Sequence, residues 1–142
     1  MTYKPYSLPA LRGELSRDEG RRKKPYKDSE GILTIGVGWN LEAHGLPEDV
    51  IDRLLDLGIE QAEQALDKIW PRWRMLTAGR QRVLANMAFN LGETRLRKFR
   101  KMWAALGKAD YRTASEEMLD SKWAKQVGVR ATRLAKRMRA GK

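Results

Sequence analysis

From Asp18 to Leu41 the chain reads DEGRRKKPYKDSEGILTIGVGWNL, and the fold turns on this stretch. Glu19 stands directly before Gly20; a second carboxylate, Asp28, follows nine positions later, and a hydroxyl, Thr34, six after that. Gly31, Gly36 and Gly38 separate the β-branched residues Ile32, Thr34, Ile35 and Val37, a pattern that predicts a small twisted antiparallel sheet over 26–41. Cleaving a glycosidic bond calls for such a set: one carboxylic acid to protonate the departing oxygen, and a second carboxylate to handle water or the oxocarbenium charge. The Gly36-Val37-Gly38 pair is no dinucleotide loop, because the rest of that glycine fingerprint is missing.

Helical patterns flank the sheet. Residues 7–19 predict a first helix, with Leu8, Leu11 and Leu15 as its apolar stripe, Ser7 as cap, Pro9 in its first turn and Gly20 as its stop. Glu19 then sits on the last turn, where the negative end of the helix dipole opposes an ionised carboxylate. After Pro47, the apolar positions Val50, Ile51, Leu54, Leu55, Leu57, Ile59, Ala62, Leu66 and Ile69 predict one long helix to Trp70, ended by Pro71. Gly58 in its interior costs about 1 kcal/mol relative to Ala. Helical spacing continues over 79–91, 95–106, 110–120 and 129–139, with Gly92, Gly107 and Gly128 as breakers.

The chain has 142 residues, enough for one domain that buries roughly two-thirds of its unfolded surface without a covalent staple. With no cysteine and one histidine, His44 in a loop beside Gly45, a metal site or a Ser-His or Cys-His nucleophile is not expected. The first sixteen residues hold no apolar run of signal-peptide length, and no segment approaches the ~20 apolar residues of a membrane span. The expectation is synthesis in a reducing cytoplasm. Lys and Arg number 29 against 18 Asp and Glu, a net charge of +11 at pH 7. That excess attracts polyanions generally, whether nucleic acid, anionic lipid or the anionic bacterial wall.

The motif of acid-Gly, aromatic-x-Asp, Gly and Thr-Ile-Gly-x-Gly closely resembles the signature of the phage T4-type lysozymes. The resemblance continues through NMAFNLGET (86–94) and SKW…VRATR (121–133), so it covers most of the chain. It implies an α+β, mainly α, two-lobed fold within a single domain. Residues 1–46 would form an N-terminal lobe with the sheet, 47–70 a connecting helix and 71–142 a helical C-terminal lobe. It further implies an endo-acting muramidase that needs no cofactor and cuts the β-1,4 bond between N-acetylmuramic acid and N-acetylglucosamine. The partner it implies is bacterial peptidoglycan rather than a specific nucleic acid, and the expected state is a monomer. In this reading the protein lyses the host at the end of a phage cycle, released by a separate pore-former, a holin.

Carried over residue by residue, the resemblance makes Glu19 the general acid, with Asp28 and Thr34 placing the attacking water. Considered alone, Asp28 is an Asx-turn former and Thr34 an ordinary strand residue. Arg130 matches an Arg that approaches the catalytic Glu from the second lobe, where it would favour the ionised form against the helix-end effect. Asn40, Asn90 and Gln126 are read as polar contacts to saccharide hydroxyls and acetamides, and Phe89 as an apolar wall or, equally, a core residue with Leu84, Met87 and Leu91. Trp39 departs from the best-known family member, which has a histidine there; the indole has either a sugar-stacking or a buried role.

The segment 121–142 carries eight basic residues and no acid. A stripe of Val129, Leu134 and Met138 makes it a basic amphipathic helix, either docked on the core or gripping the anionic wall or outer-membrane lipid. Two other functions fit parts of the sequence. A lytic transglycosylase would cleave the same bond with no need for a water-placing carboxylate. A non-catalytic cationic module binding wall, membrane or nucleic acid would rest on the charge alone.

Overall fold

The computed structural model describes residues 6–142. By compactness the chain divides into two units, one extending to Asp52 and the other running from Arg53 to Lys142.

In the first unit, helix α1 spans Leu8–Glu19. It starts where predicted: Ser7 Oγ accepts from the Ala10 N–H at 3.3 Å, and Pro9 lies in the first turn, where no N–H is needed. It ends because Gly20 adopts φ +81° and returns its N–H to Ser16 O. The expected apolar stripe of α1 is not buried; Leu15 is 45% exposed. Three antiparallel strands follow in the order β1 (Arg22–Lys27), β2 (Leu33–Gly36) and β3 (Trp39–Asn40). The sheet begins four residues earlier than the predicted 26–41. Apolar alternation could not reveal β1, whose sequence is RKKPYK. Pro25, which lacks an N–H, is tolerated because β1 is an edge strand with irregular register between Arg22 and Tyr26. Tyr26 pairs with Thr34, Thr34 with Asn40, and Ile35 with Trp39. Asn40 then caps a short helix, α2 (Leu41–His44), its Oδ1 accepting from the Ala43 N–H at 2.9 Å.

Helix α3 (Glu48–Ile69) begins after Pro47 and contains the boundary between the two units. A 3₁₀ turn, Pro71–Met75, leads into α4 (Ala78–Leu91), α5 (Glu93–Arg97), α6 (Arg100–Gly107), α7 (Tyr111–Leu119), α8 (Lys122–Val127) and α9 (Val129–Ala140). The single helix expected over 95–106 is two helices broken at Lys98–Phe99, and α8 was not expected. The core of this unit centres on α4, whose Val83, Leu84 and Met87 have no exposed surface, packed with Leu66, Leu96, Met102, Met118, Leu134 and Met138. Each such side chain contributes roughly 1.5–3 kcal/mol on burial. Helix α9 docks through Ala131, Leu134, Ala135 and Met138; Val129, expected in its stripe, is 78% exposed.

Candidate active site

The predicted residues divide between the units: Glu19, Asp28, Thr34 and Asn40 in the first, Phe89, Asn90, Gln126 and Arg130 in the second. Glu19 is the last residue of α1 and is exposed. Its carboxylate lies against the β2–β3 turn: a Cβ built on Gly38 would stand 3.0 Å from Glu19 Oε2 and 3.2 Å from its Cδ. Gly38 has φ +67°, so the turn favours glycine for its backbone, and the carboxylate occupies the space that any side chain would need.

Asp28 is an Asx-turn residue. Its Oδ1 accepts from the backbone N–H of Glu30 at 2.8 Å and of Ile32 at 2.9 Å, and its own N–H donates to Ile32 O at 3.0 Å. Among the described residues Oδ2 has no hydrogen-bond donor, so the same carboxylate is fixed in place by one oxygen and free at the other. Thr34 is 4% exposed, and its hydroxyl donates to Ile32 O at 2.8 Å. The proton is thereby committed to the backbone, and the oxygen retains acceptor capacity. Asn40, across the ladder from Thr34, spends its oxygen on the α2 cap and keeps its amide N–H groups. Trp39 is 40% exposed, donates its indole N–H to Gly45 O at 2.7 Å and lies 5.1 Å from the His44 ring.

In the second unit Arg130 is half-buried on the first turn of α9, where its Nε and Nη2 both donate to Asn86 Oδ1, at 3.0 and 2.8 Å. Phe89 is not a core residue: it is 47% exposed, and its ring lies on α3 at Gly58, where a Cβ would meet Phe89 Cε2 at 2.4 Å. The ring borders two cavities. One, about 350 Å³, is walled by Leu55, Ile59 and Ala85 and carries Asn86 and Arg130. The other, about 400 Å³, is edged by Gln61, Gln64, Lys68 and Glu93. A hydrogen bond from Arg97, reinforced by the charge of Lys68, holds the Glu93 carboxyl below the ordinary carboxylate range. Asn90 Oδ1 accepts from the Trp123 indole at 2.8 Å, and Gln126 Oε1 from Arg95 at 3.1 Å; both residues are exposed, and both keep their amide donors.

The sequence reading missed Asn86. Its signal was an amide three and four positions before Phe89 and Asn90, which sets all three on one face of α4. Among the described residues, no group of three His, Asp or Glu side chains converges as a metal-ligand set.

The α+β fold, with the carboxylate of Glu19 at the end of α1 and that of Asp28 just after β1, is consistent with the lysozyme-like class. Residues 16–141 match the phage lysozyme family model, and the chain belongs to that family, whose members act on the bacterial cell wall. It is similar to the pre-baseplate central spike protein Gp5 of Enterobacteria phage T4, with 29% identity over 84% of this chain and 26% of that protein. It is 25% identical to the probable T4-type lysozyme 2 of Dictyostelium discoideum, over 88% of this chain and 91% of that one. It is 31% identical to the peptidoglycan hydrolase gp36 of Pseudomonas phage phiKMV, over 89% of this chain. The chain spans about a quarter of the spike protein and 15% of gp36.

Proposed function

We propose that this lysozyme domain hydrolyses the β-1,4 bond between N-acetylmuramic acid and N-acetylglucosamine in peptidoglycan. Glu19 acts as general acid and gives its carboxyl proton to the departing glycosidic oxygen. Asp28 Oδ2 takes a proton from the attacking water, whose oxygen bonds the anomeric carbon on the opposite face. Thr34 Oγ1 accepts a hydrogen bond from that water, since its own proton is held by Ile32 O. The single observation carrying this reading is the state of Asp28: one oxygen locked by two backbone N–H groups, the other open. A carboxylate fixed in this way costs little reorganisation when it receives a proton. Asn40, Asn90 and Gln126 offer amide donors to saccharide hydroxyls and acetamides, Phe89 offers a ring face, and Arg130 supplies positive charge.

Mass spectrometry of purified peptidoglycan digested by wild type and Glu19→Gln tests this reading. Reducing-end muropeptides from wild type alone are expected, since general acid catalysis is worth ~10²–10⁴ in rate. Anhydro products would move the reaction to transglycosylation and leave Asp28 without its role.

Among the described residues no helix is long and apolar enough to cross a membrane. In the proposed setting the protein acts as a monomer that reaches the wall through a pore made by another protein, a holin, and lyses the host. Co-expression with and without such a pore-former, followed by culture turbidity, tests this setting. A second setting, a wall hydrolase borne on the virion, is favoured by the similarity to a protein named as a central spike. The exposed cations of α9 (Arg133, Lys136, Arg139) extend the proposal to anionic outer-membrane lipid, tested by co-sedimentation with phosphatidylglycerol vesicles.

A further inference from the structure

Arg130 stands in the first turn of α9, a turn that contains no acidic residue. A cation there faces the positive end of the helix dipole, an arrangement that works against stability. Within residues 53–142 no carboxylate pairs with it, and its one fixed partner is the neutral amide oxygen of Asn86, at 3.0 Å from Nε and 2.8 Å from Nη2. Of the five guanidinium hydrogens, two are thus committed, and the Nη1–Nη2 edge keeps the fork geometry that matches a carboxylate.

We infer that Asn86 is a positioning residue for Arg130: it fixes one edge of the guanidinium and leaves the other aimed at a carboxylate. The choice of an amide matters. An Asp at 86 would hold the same edge as firmly but would neutralise the charge, whereas Asn orients the cation and leaves it undiminished. The apolar walls of the adjoining cavity, Leu55, Ile59 and Phe89, strengthen whatever charge pair forms there. The carboxylate is either a group of the enzyme's own machinery or one carried by the substrate. The inference rests on the muramidase reading above.

The test compares Asn86→Ala and Asn86→Asp with wild type for kcat, KM and Tm on soluble peptidoglycan fragments, with Glu19→Gln alongside. It also follows the Arg130 Nε–H signal by NMR. Loss of a hydrogen bond to a charged group predicts a drop of about ten- to hundredfold in kcat/KM for Asn86→Ala, together with loss of the protected Nε–H signal. Asn86→Asp is expected to keep Tm and the Nε–H signal and still lose activity, an outcome that a purely structural role would not give. A loss in kcat alone assigns the carboxylate to the enzyme; a rise in KM alone assigns it to the substrate. If Glu19→Gln is inactive while both Asn86 variants stay within twofold of wild type, the inference is overturned. If Glu19→Gln remains active, the underlying muramidase reading fails instead.

Discussion

Glu19 Oε2 lies 3.0 Å from the point where a Cβ on residue 38 would stand, so the glycine of the β2–β3 turn and the proposed general acid share one space. Gly36 provides a matched control. Its φ of +69° is close to the +67° of Gly38, but nothing lies within 4 Å of its Cβ position. Alanine at either position incurs the left-handed backbone penalty of about 1–2 kcal/mol. Only Gly38→Ala also displaces the carboxylate. Both variants should therefore lose similar stability in denaturant titrations, while kcat falls at least tenfold further in Gly38→Ala. Equal kcat values for the two would remove the contact from any part in catalysis.

Gly58 shows how a helix-weakening residue is selected by its neighbour. In isolation Gly58→Ala gains about 1 kcal/mol of helix propensity. Here the new methyl meets the Phe89 ring at 2.4 Å, and the ring must move. In wild type the gain should be largely cancelled; in a Phe89→Ala background it should appear in full. The double-mutant cycle is expected to give a coupling of about 0.5–1 kcal/mol, and strict additivity would show that the ring swings away without cost.

Acid sensitivity should centre on the junction between α3 and the 3₁₀ turn. Asp67 accepts from Arg74 Nε and Nη2 at 2.9 and 3.0 Å and from the Trp73 indole at 2.8 Å. Those bonds, Arg74's first, hold its carboxyl below the ordinary value of 3.8. A group lowered on folding stabilises at pH above its unfolded value, and that contribution disappears as pH falls through the folded one. Asp67→Asn should thus be less stable than wild type at neutral pH, with the gap closing below about pH 4. Glu93, bonded to Arg97, and Asp110, bonded to Thr113, are lowered too and steepen the same acid limb. A gap that persists unchanged to the acid end of a pH series of thermal melts would contradict the assignment.

The elements with covalent punctuation were readable in advance. Ser7 and Gly20 frame α1, Pro47 and Pro71 bracket α3, and Gly92, Gly107 and Gly128 fall at helix ends. The break between α5 and α6 has no such mark; there Phe99 packs edge-on against Trp123 at 6.2 Å, a tertiary contact that local spacing does not encode. Helix α8 escaped because six residues are too few to show a period, although Ser121 caps it at Ala124 N. In the candidate site Glu19, Asp28 and Thr34 are singled out by the resemblance of their motif to the T4-type lysozymes, since alone Asp28 reads as a turn former and Thr34 as a strand residue. The direction of the Thr34 hydroxyl, the splitting of duties between the two Asp28 oxygens and the hold of Asn86 on Arg130 depend on backbone geometry and on partners up to 44 positions away.

Arg80 ties the end of α9 to the rest of its unit. Its Nε donates to Met138 O at 2.7 Å and its Nη2 to Arg139 O at 3.0 Å, satisfying carbonyls that the helix end leaves unpaired. The guanidinium also stacks 3.5 Å from the Tyr111 ring centroid, and it stands 3.0 Å from the Cβ position of Gly141. Residue 79 is closed in the same way, since a Cβ there would meet the Lys142 backbone at 2.5 Å. Arg80→Ala should cost about 2–3 kcal/mol in urea unfolding, the range for charge-assisted hydrogen bonds with a cation–π contact. Arg80→Lys should recover less than half, because an ammonium offers neither the planar stack nor the two-pronged donor. Because the residue lies outside the proposed reaction, kcat should be unchanged in both variants where they are fully folded. Full recovery by lysine would mean that charge at the helix end, rather than the planar fork, is what secures α9.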